Sequence, residues 1–86
     1  MTSPKGMREF RRALAATVRD RRQARGWTQE DMATEAGLTQ PAISNYERDA
    51  KEMRLTSLLA IASAFEVLPE TLLEEARTRA AGERAA

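Results

Sequence analysis

Residues Thr28 to Arg48, TQEDMATEAGLTQPAISNYER, constrain this chain more than any other stretch. They read as two short helices joined by a tight turn. Thr28 is a good N-cap, and Asp31 three residues on can close a capping box, more weakly than Glu would. Met32, Ala33 and Ala36 give the first helix an apolar side. Gly37 ends it, because a residue without Cβ enters the left-handed conformation cheaply. Leu38 plugs the turn. Thr39 caps the second helix, and Pro41 sits in its first turn, where a missing N–H costs nothing. Ile43, Tyr46 and Glu47 continue one face. Gln40, Ala42, Ser44 and Asn45 are left on the others, and all are small or amide-bearing.

That leftover set has a use. Gln and Asn can bond an adenine edge through two hydrogen bonds, and Ala can touch a thymine methyl, so such a helix suits the DNA major groove. The alternative is a plain helical hairpin with a solvated polar face.

Charge distribution bears on the choice. The formal net charge is +1. Residues 1–25 nevertheless hold eight basic and two acidic groups, a net of +6, and the remaining 61 hold six basic and eleven acidic, a net of −5. A basic end on an acidic remainder suggests one surface that faces a polyanion, although arginine-rich helix faces can also be merely solvated. At 86 residues the chain is one small domain, which a dimer partner would help to stabilise. It has no Cys and no His, hence no disulfide framework, no thiolate metal site and no His to serve as a general base. No apolar run approaches the roughly 18 residues of a membrane span and no signal peptide is visible, so a cytoplasmic protein without membrane contact is expected.

Along the chain, Ser-Pro and Gly make residues 1–6 read as a flexible arm. Met7, Phe10, Leu14 and Val18 then recur at helical spacing up to Arg25. Gly26 punctuates the chain, and Trp27 is expected to pack between helices rather than stack on a ligand. After the hairpin, residues 49–55 form a charged loop containing Lys51 and Arg54. Leu55, Leu58, Leu59, Ala62 and Phe65 mark a fourth helix, with Ile61 beside them, and Val67 packs back. Pro69 opens a fifth, whose acidic start (Glu70, Glu74, Glu75) and basic end (Arg77, Arg79) match the helix dipole. The tail from Gly82 should fray. The expectation is an all-α, five-helix domain over residues 7–81, with residues 82–86 loose. Its core should hold Leu14, Val18, Trp27, Met32, Ala33, Leu38, Ile43, Tyr46, Leu55, Leu58, Leu59, Ala62, Phe65 and Val67.

The string RGWTQEDMATEAGLTQPAISNYER, followed by LTSLLAIASAFEVLPETLL, resembles the lambda-repressor-like (Xre or Cro/CI-type) helix-turn-helix family over about residues 12 to 75. The family's RG-hydrophobic-TQ-acidic opening matches Arg25 to Glu30, with Met32 and Ala33 following. Its AGL-S/T turn matches Ala36 to Thr39, and its I-S-x-hydrophobic-E-R ending matches Ile43 to Arg48. The resemblance implies a recognition helix over about 39–48, with Gln40, Pro41, Ala42 and Asn45 facing base edges. Gln29 matches a phosphate-bonding glutamine at a helix N-terminus, where free N–H groups favour anions. Arg54 matches a loop position that often reaches DNA. Thr28, Thr39, Ser44 and Lys51 complete the expected phosphate contacts. Glu47 matches a glutamate that pairs with a first-helix arginine, here Arg22, to tie the two helices together.

Three positions depart from the family. Asp49 stands where Gly is usual; Asp tolerates a left-handed backbone but would add negative charge near phosphates. Met53 replaces a common Pro, which should loosen the loop 49–54. Pro41 can donate no side-chain hydrogen bond, so Gln40 and Asn45 are the hydrogen-bonding readers, and DNA shape should supply a sizeable share of specificity.

The resemblance implies a DNA-binding transcriptional regulator, a repressor acting as a homodimer on a two-fold operator, encoded by a bacterium or phage. The dimer surface is expected on the fifth helix, at Leu72, Leu73, Ala76 and Arg77, with either Leu72 or Leu73 instead covering the fourth helix. The competing expectation is a protein-interaction module, such as an antitoxin whose main partner is a toxin. An enzyme is not expected, because Ser44 and Ser57 have no His to activate them. No cofactor or metal is implied.

Overall fold

The computed structural model describes residues 3–85 and is built of five helices: α1 (Pro4–Ala24), α2 (Gln29–Ala36), α3 (Gln40–Glu47), α4 (Leu55–Ala64) and α5 (Pro69–Ala85). Their caps are written in the sequence. At α2 the reciprocal box is complete: Asp31 N–H donates to Thr28 Oγ1 at 3.0 Å, and Thr28 N–H to Asp31 Oδ2 at 2.9 Å. Thr39 Oγ1 accepts from Ala42 N–H at 3.2 Å, and Pro41 lies in the first turn of α3.

The helix C-termini share one device. Four helices end on a left-handed residue: Gly26, Gly37, Asp49 and Glu66, with φ of 71°, 67°, 53° and 59°. In each case the next N–H reaches back five residues, from Trp27 to Arg22, Leu38 to Ala33, Ala50 to Asn45 and Val67 to Ala62. This pattern satisfies carbonyls that the helix end would otherwise orphan.

Both ends of the domain are more helical than their composition suggests. Residues 4–6 are the first turn of α1, not a flexible arm. Ser3 is its N-cap, accepting from Gly6 N–H at 3.0 Å, and Pro4 opens it. The Ser-Pro pair that signals a loop is equally a cap and an N1 proline. Residues 82–85 continue α5 instead of fraying. Residues 1, 2 and 86, also expected to be loose, lie outside the described residues.

The main core gathers Val18, Met32, Ile43, Tyr46, Ile61, Phe65 and Leu72. Leu14, Leu38 and Val67 are half-buried at its edge, as is Trp27, which stacks on Phe65 with centroids 6.0 Å apart. Two expected core residues are outside: Leu55 and Leu59 of α4 are 70% and 46% exposed. α4 is apolar nearly all round, so Leu58, Ile61, Ala62 and Phe65 form a second stripe at helical spacing, and that stripe faces inward. Burial of Ser57 goes with this rotation, because its Oγ bonds the Tyr46 hydroxyl at 2.9 Å.

α1 and α5 form the most extensive helix pair. Ala13, Ala76 and Ala80 are buried where they meet, with Phe10 and Leu14 packed alongside. Polar staples flank the seam. Arg21 Nε donates to Glu75 Oε1 at 2.9 Å, and Arg79 to Asp20 Oδ2 at 2.6 Å. The Arg21 guanidinium holds the Glu75 carboxyl below the usual carboxylate range, chiefly by hydrogen bonding. This packing corrects the expected dimer surface. Leu72 and Ala76 are both fully buried within their own chain and cannot meet a partner. Leu73 is half-buried against the main core, and Arg77 is exposed and paired with Glu74.

Candidate nucleic-acid interface

The hairpin of α2 and α3 is held to α1 by one buried ion pair. Glu47, at the end of α3, accepts from Arg22 Nε at 2.7 Å and from Arg22 Nη2 at 3.1 Å. Their side chains are only 3% and 12% exposed. The third nitrogen of Arg22 donates to the Trp27 carbonyl at 2.6 Å, so this guanidinium also fixes the approach to α2. All three of its nitrogens donate inside the fold.

The network continues outward from Glu47. Gln29 Nε2 donates to Glu47 Oε1 at 3.1 Å, and Gln29 Oε1 accepts from Gln40 Nε2 at 2.7 Å. A chain of hydrogen bonds therefore runs from Arg22 in the interior to Gln40 on α3. One N–H of the Gln40 amide is used; its Oε1 and second N–H remain for a ligand. That is the donor–acceptor pair needed to bond an adenine edge. Gln29, expected at a phosphate, has both ends of its amide in this chain, so in the free protein it orients Gln40.

Asn45 is the other amide of α3. Its Oδ1 accepts from Arg48 Nη2 at 2.8 Å, and Arg48 Nε donates to the Ser44 carbonyl at 3.3 Å. Arg48 thus braces Asn45. The spacing of three residues between Asn45 and Arg48 is visible in the sequence, but nothing there singles it out among the surface charges. Pro41 is exposed, while Ala42, Ser44 and Asn45 are half-buried. Thr28 and Thr39 accept backbone N–H groups as caps, which leaves each O–H free to donate to a phosphate.

Beside α3 lies a groove of about 520 Å³. Thr39, Pro41, Ala42 and Asn45 form one wall, and Lys51, Glu52 and Arg54 of the following loop form the other. The two cations at its rim are exposed and make no ion pair among the described residues. A smaller groove of about 340 Å³, lined by Thr28, Gln29, Glu30 and Gln40, opens at the adjoining start of α2. Asp49 adopts the left-handed conformation its residue type tolerates. Its carboxylate is answered by Arg11 at 3.1 Å, which sequence reasoning missed, so its charge does not stand bare beside the groove.

Comparison with known proteins agrees with this geometry. The curated antitoxin HipB of Escherichia coli K12 is 35% identical over 54 residues, 63% of this chain; the match spans about three fifths (61%) of HipB. The clp gene regulator ClgR of Corynebacterium glutamicum superposes with a TM-score of 0.81 at 28% identity, over 88% of this chain and 81% of that one. The restriction-modification controller protein C.AhdI of Aeromonas hydrophila gives 0.68 at 28% identity, over 71% and 92%. The transcription factor NHTF from Neisseria, described as hypothetical, gives 0.70 at 33% identity, over 74% of each chain. A helix-turn-helix family model matches residues 18–72, from the middle of α1 into α5. With its capped hairpin, its five helices and that match, the chain belongs to the helix-turn-helix family, of the lambda-repressor-like kind.

Proposed function

We propose that the protein is a sequence-specific transcriptional repressor that binds a two-fold symmetric DNA operator as a homodimer in the bacterial cytoplasm. The observation that carries this reading is the braced pair of amides on α3, Gln40 and Asn45, beside a groove whose far rim bears two cations, Lys51 and Arg54, with no ion pair among the described residues. Amides on a helix read base edges, and unpaired cations neutralise phosphates. The likeness to ClgR, described as a clp gene regulator, and to C.AhdI, described as a restriction-modification controller protein, supports a regulatory role. In the dimer, α3 of each protomer would enter the major groove about one helical turn from its mate.

For the dimer contact, burial favours α4 over the inner side of α5. Leu55, Leu59 and Leu68 are exposed large apolar side chains, whereas on α5 only Leu73 and Arg77 of the expected set remain accessible. Sedimentation of the parent protein and a Leu55→Ser/Leu59→Ser variant at micromolar concentration tests this; an unchanged dimer in the variant removes α4 from the contact.

The DNA reading is tested by selecting genomic fragments with the purified protein and measuring gel shifts at low salt. Retention of a discrete fragment set is expected, and failure to retain any fragment overturns the proposal. The similarity to an antitoxin supports a second reading, in which a toxin protein is a further or main partner. Co-purification of one stoichiometric protein, without fragment selection, would favour it.

A further inference from the structure

Apart from Arg19, the arginines of α1 sort into two classes. Those that touch the rest of the fold are each answered by an acid from the chain's acidic remainder: Arg11 by Asp49, Arg21 by Glu75, Arg22 by Glu47. Arg19 is set at 3.7 Å from its neighbour Asp20. Lys5, Arg8 and Arg12 are exposed and have no ion pair or side-chain hydrogen bond among the described residues. Their spacing of three and four places them on one side of the helix. Glu9, in the same turn, is half-buried and already engaged.

Helical spacing sets this unpaired strip beside a cleft that adjoins the groove next to α3. Lys51 lines that groove and also a small cleft where Arg11 and Ala15 of α1 meet Asp49 and Met53. Arg8 is two helical turns before Ala15 on nearly the same line of α1, and Arg12 is one turn before it. The cations Arg54 and Lys51 therefore lead onto Arg8, Arg12 and Lys5 with one closed ion pair, Arg11–Asp49, in between. From Lys5 to Arg12 the helix rises about 10 Å, which spans roughly three phosphates of one strand at 3.4 Å along the duplex axis.

We propose that the DNA-contacting surface extends past the hairpin, through Lys51, onto the N-terminal half of α1, where Lys5, Arg8 and Arg12 hold the phosphate backbone of the same duplex outside the half-site. The inference rests on the DNA-binding reading above. These side chains contact no base, so they add affinity and salt dependence without adding sequence preference.

The test compares the full chain with an Arg8→Gln/Arg12→Gln variant on a selected genomic fragment cut to two lengths. One duplex ends at the protected half-sites, and the other carries ten further base pairs on each side. On the longer duplex the variant should bind more weakly, and its slope of log affinity against log salt should flatten by about two for each protomer. The loss should be confined to the longer duplex, and Arg8→Lys/Arg12→Lys should restore the slope. Equal melting temperatures would establish that both variants fold. An unchanged slope on the longer duplex overturns the proposal, and so does an equal loss on both lengths. Unchanged DNA binding with lost affinity for polyglutamate would assign the strip to an acidic protein and also overturn it. If the parent protein retained no genomic DNA, the underlying reading itself would fail, an outcome distinct from the others.

Discussion

Glu47 has two roles at the residue scale. It answers the Arg22 guanidinium inside the fold and holds Gln29, through which Gln40 is placed. With Glu47 only 3% exposed, loss of its partner leaves a charge without water or counter-ion. Arg22→Ala should therefore destabilise the domain by about 3 kcal/mol in urea denaturation, far more than a surface pair would. Loss below about 1 kcal/mol would show that solvent reaches the carboxylate. If Gln40 and Asn45 read bases as proposed, Gln40→Ala or Asn45→Ala should cost roughly 1–3 kcal/mol on the selected site and relax one operator position. Equal loss on random DNA would refute a base contact. Arg54→Ala should weaken all sequences alike and flatten the salt dependence by about one charge.

At the scale of elements, the left-handed C-caps make a matched pair of predictions. A Cβ added at Gly37 would meet no other atom within 4 Å, so Gly37→Ala costs only the conformational strain at φ 67°, about 1 kcal/mol. Glu66 carries that strain already, is 82% exposed at its side chain and makes only a 3.6 Å pair with Arg25. Glu66→Gly should then stabilise the domain by about 0.5–1 kcal/mol, the strain relieved being larger than the exposed pair lost. Thermal unfolding of the two variants checks both signs. The same elements show what sequence conveys. Hairpin boundaries are legible because Thr28, Asp31, Gly37, Thr39 and Pro41 each act through local backbone chemistry. The rotation of α4 is not, because an apolar helix offers more than one stripe and the choice lies with Tyr46, eleven residues before Ser57. The inner face of α5 is hard to read for a related reason. Ala76 and Ala80 look like weak surface residues until Ala13 is brought against them. At the candidate interface, the two amides of α3 are visible from residue type, but their bracing by Gln29 and Arg48 follows from side-chain placement that spacing alone does not decide.

For the whole molecule, charge is both mortar and surplus. Three acids of the remainder, Glu47, Asp49 and Glu75, are staples to α1, and one of these gives stability a pH dependence. The Glu75 carboxyl lies below its ordinary range because Arg21 bonds its charged form. Its contribution is fully present above the unfolded value of about 4.3 and is lost as pH falls through the lower folded value. The pair is partly exposed, at 30% and 39%, so at most about 1 kcal/mol is involved. Glu75→Gln should be less stable than the parent at pH 7, and the gap should close toward pH 3. A gap that persisted there would place the effect in packing instead of charge.

The pairing of α1 with α5 has a consequence for how the protein comes into being. Of the five helices, the earliest translated finds its most extensive partner in the latest, so the alanine seam can close only once α5 has been synthesised. Until then Phe10 and Ala13 lie open on the nascent chain, and the helix-turn-helix hairpin waits on a frame whose far wall has yet to be translated.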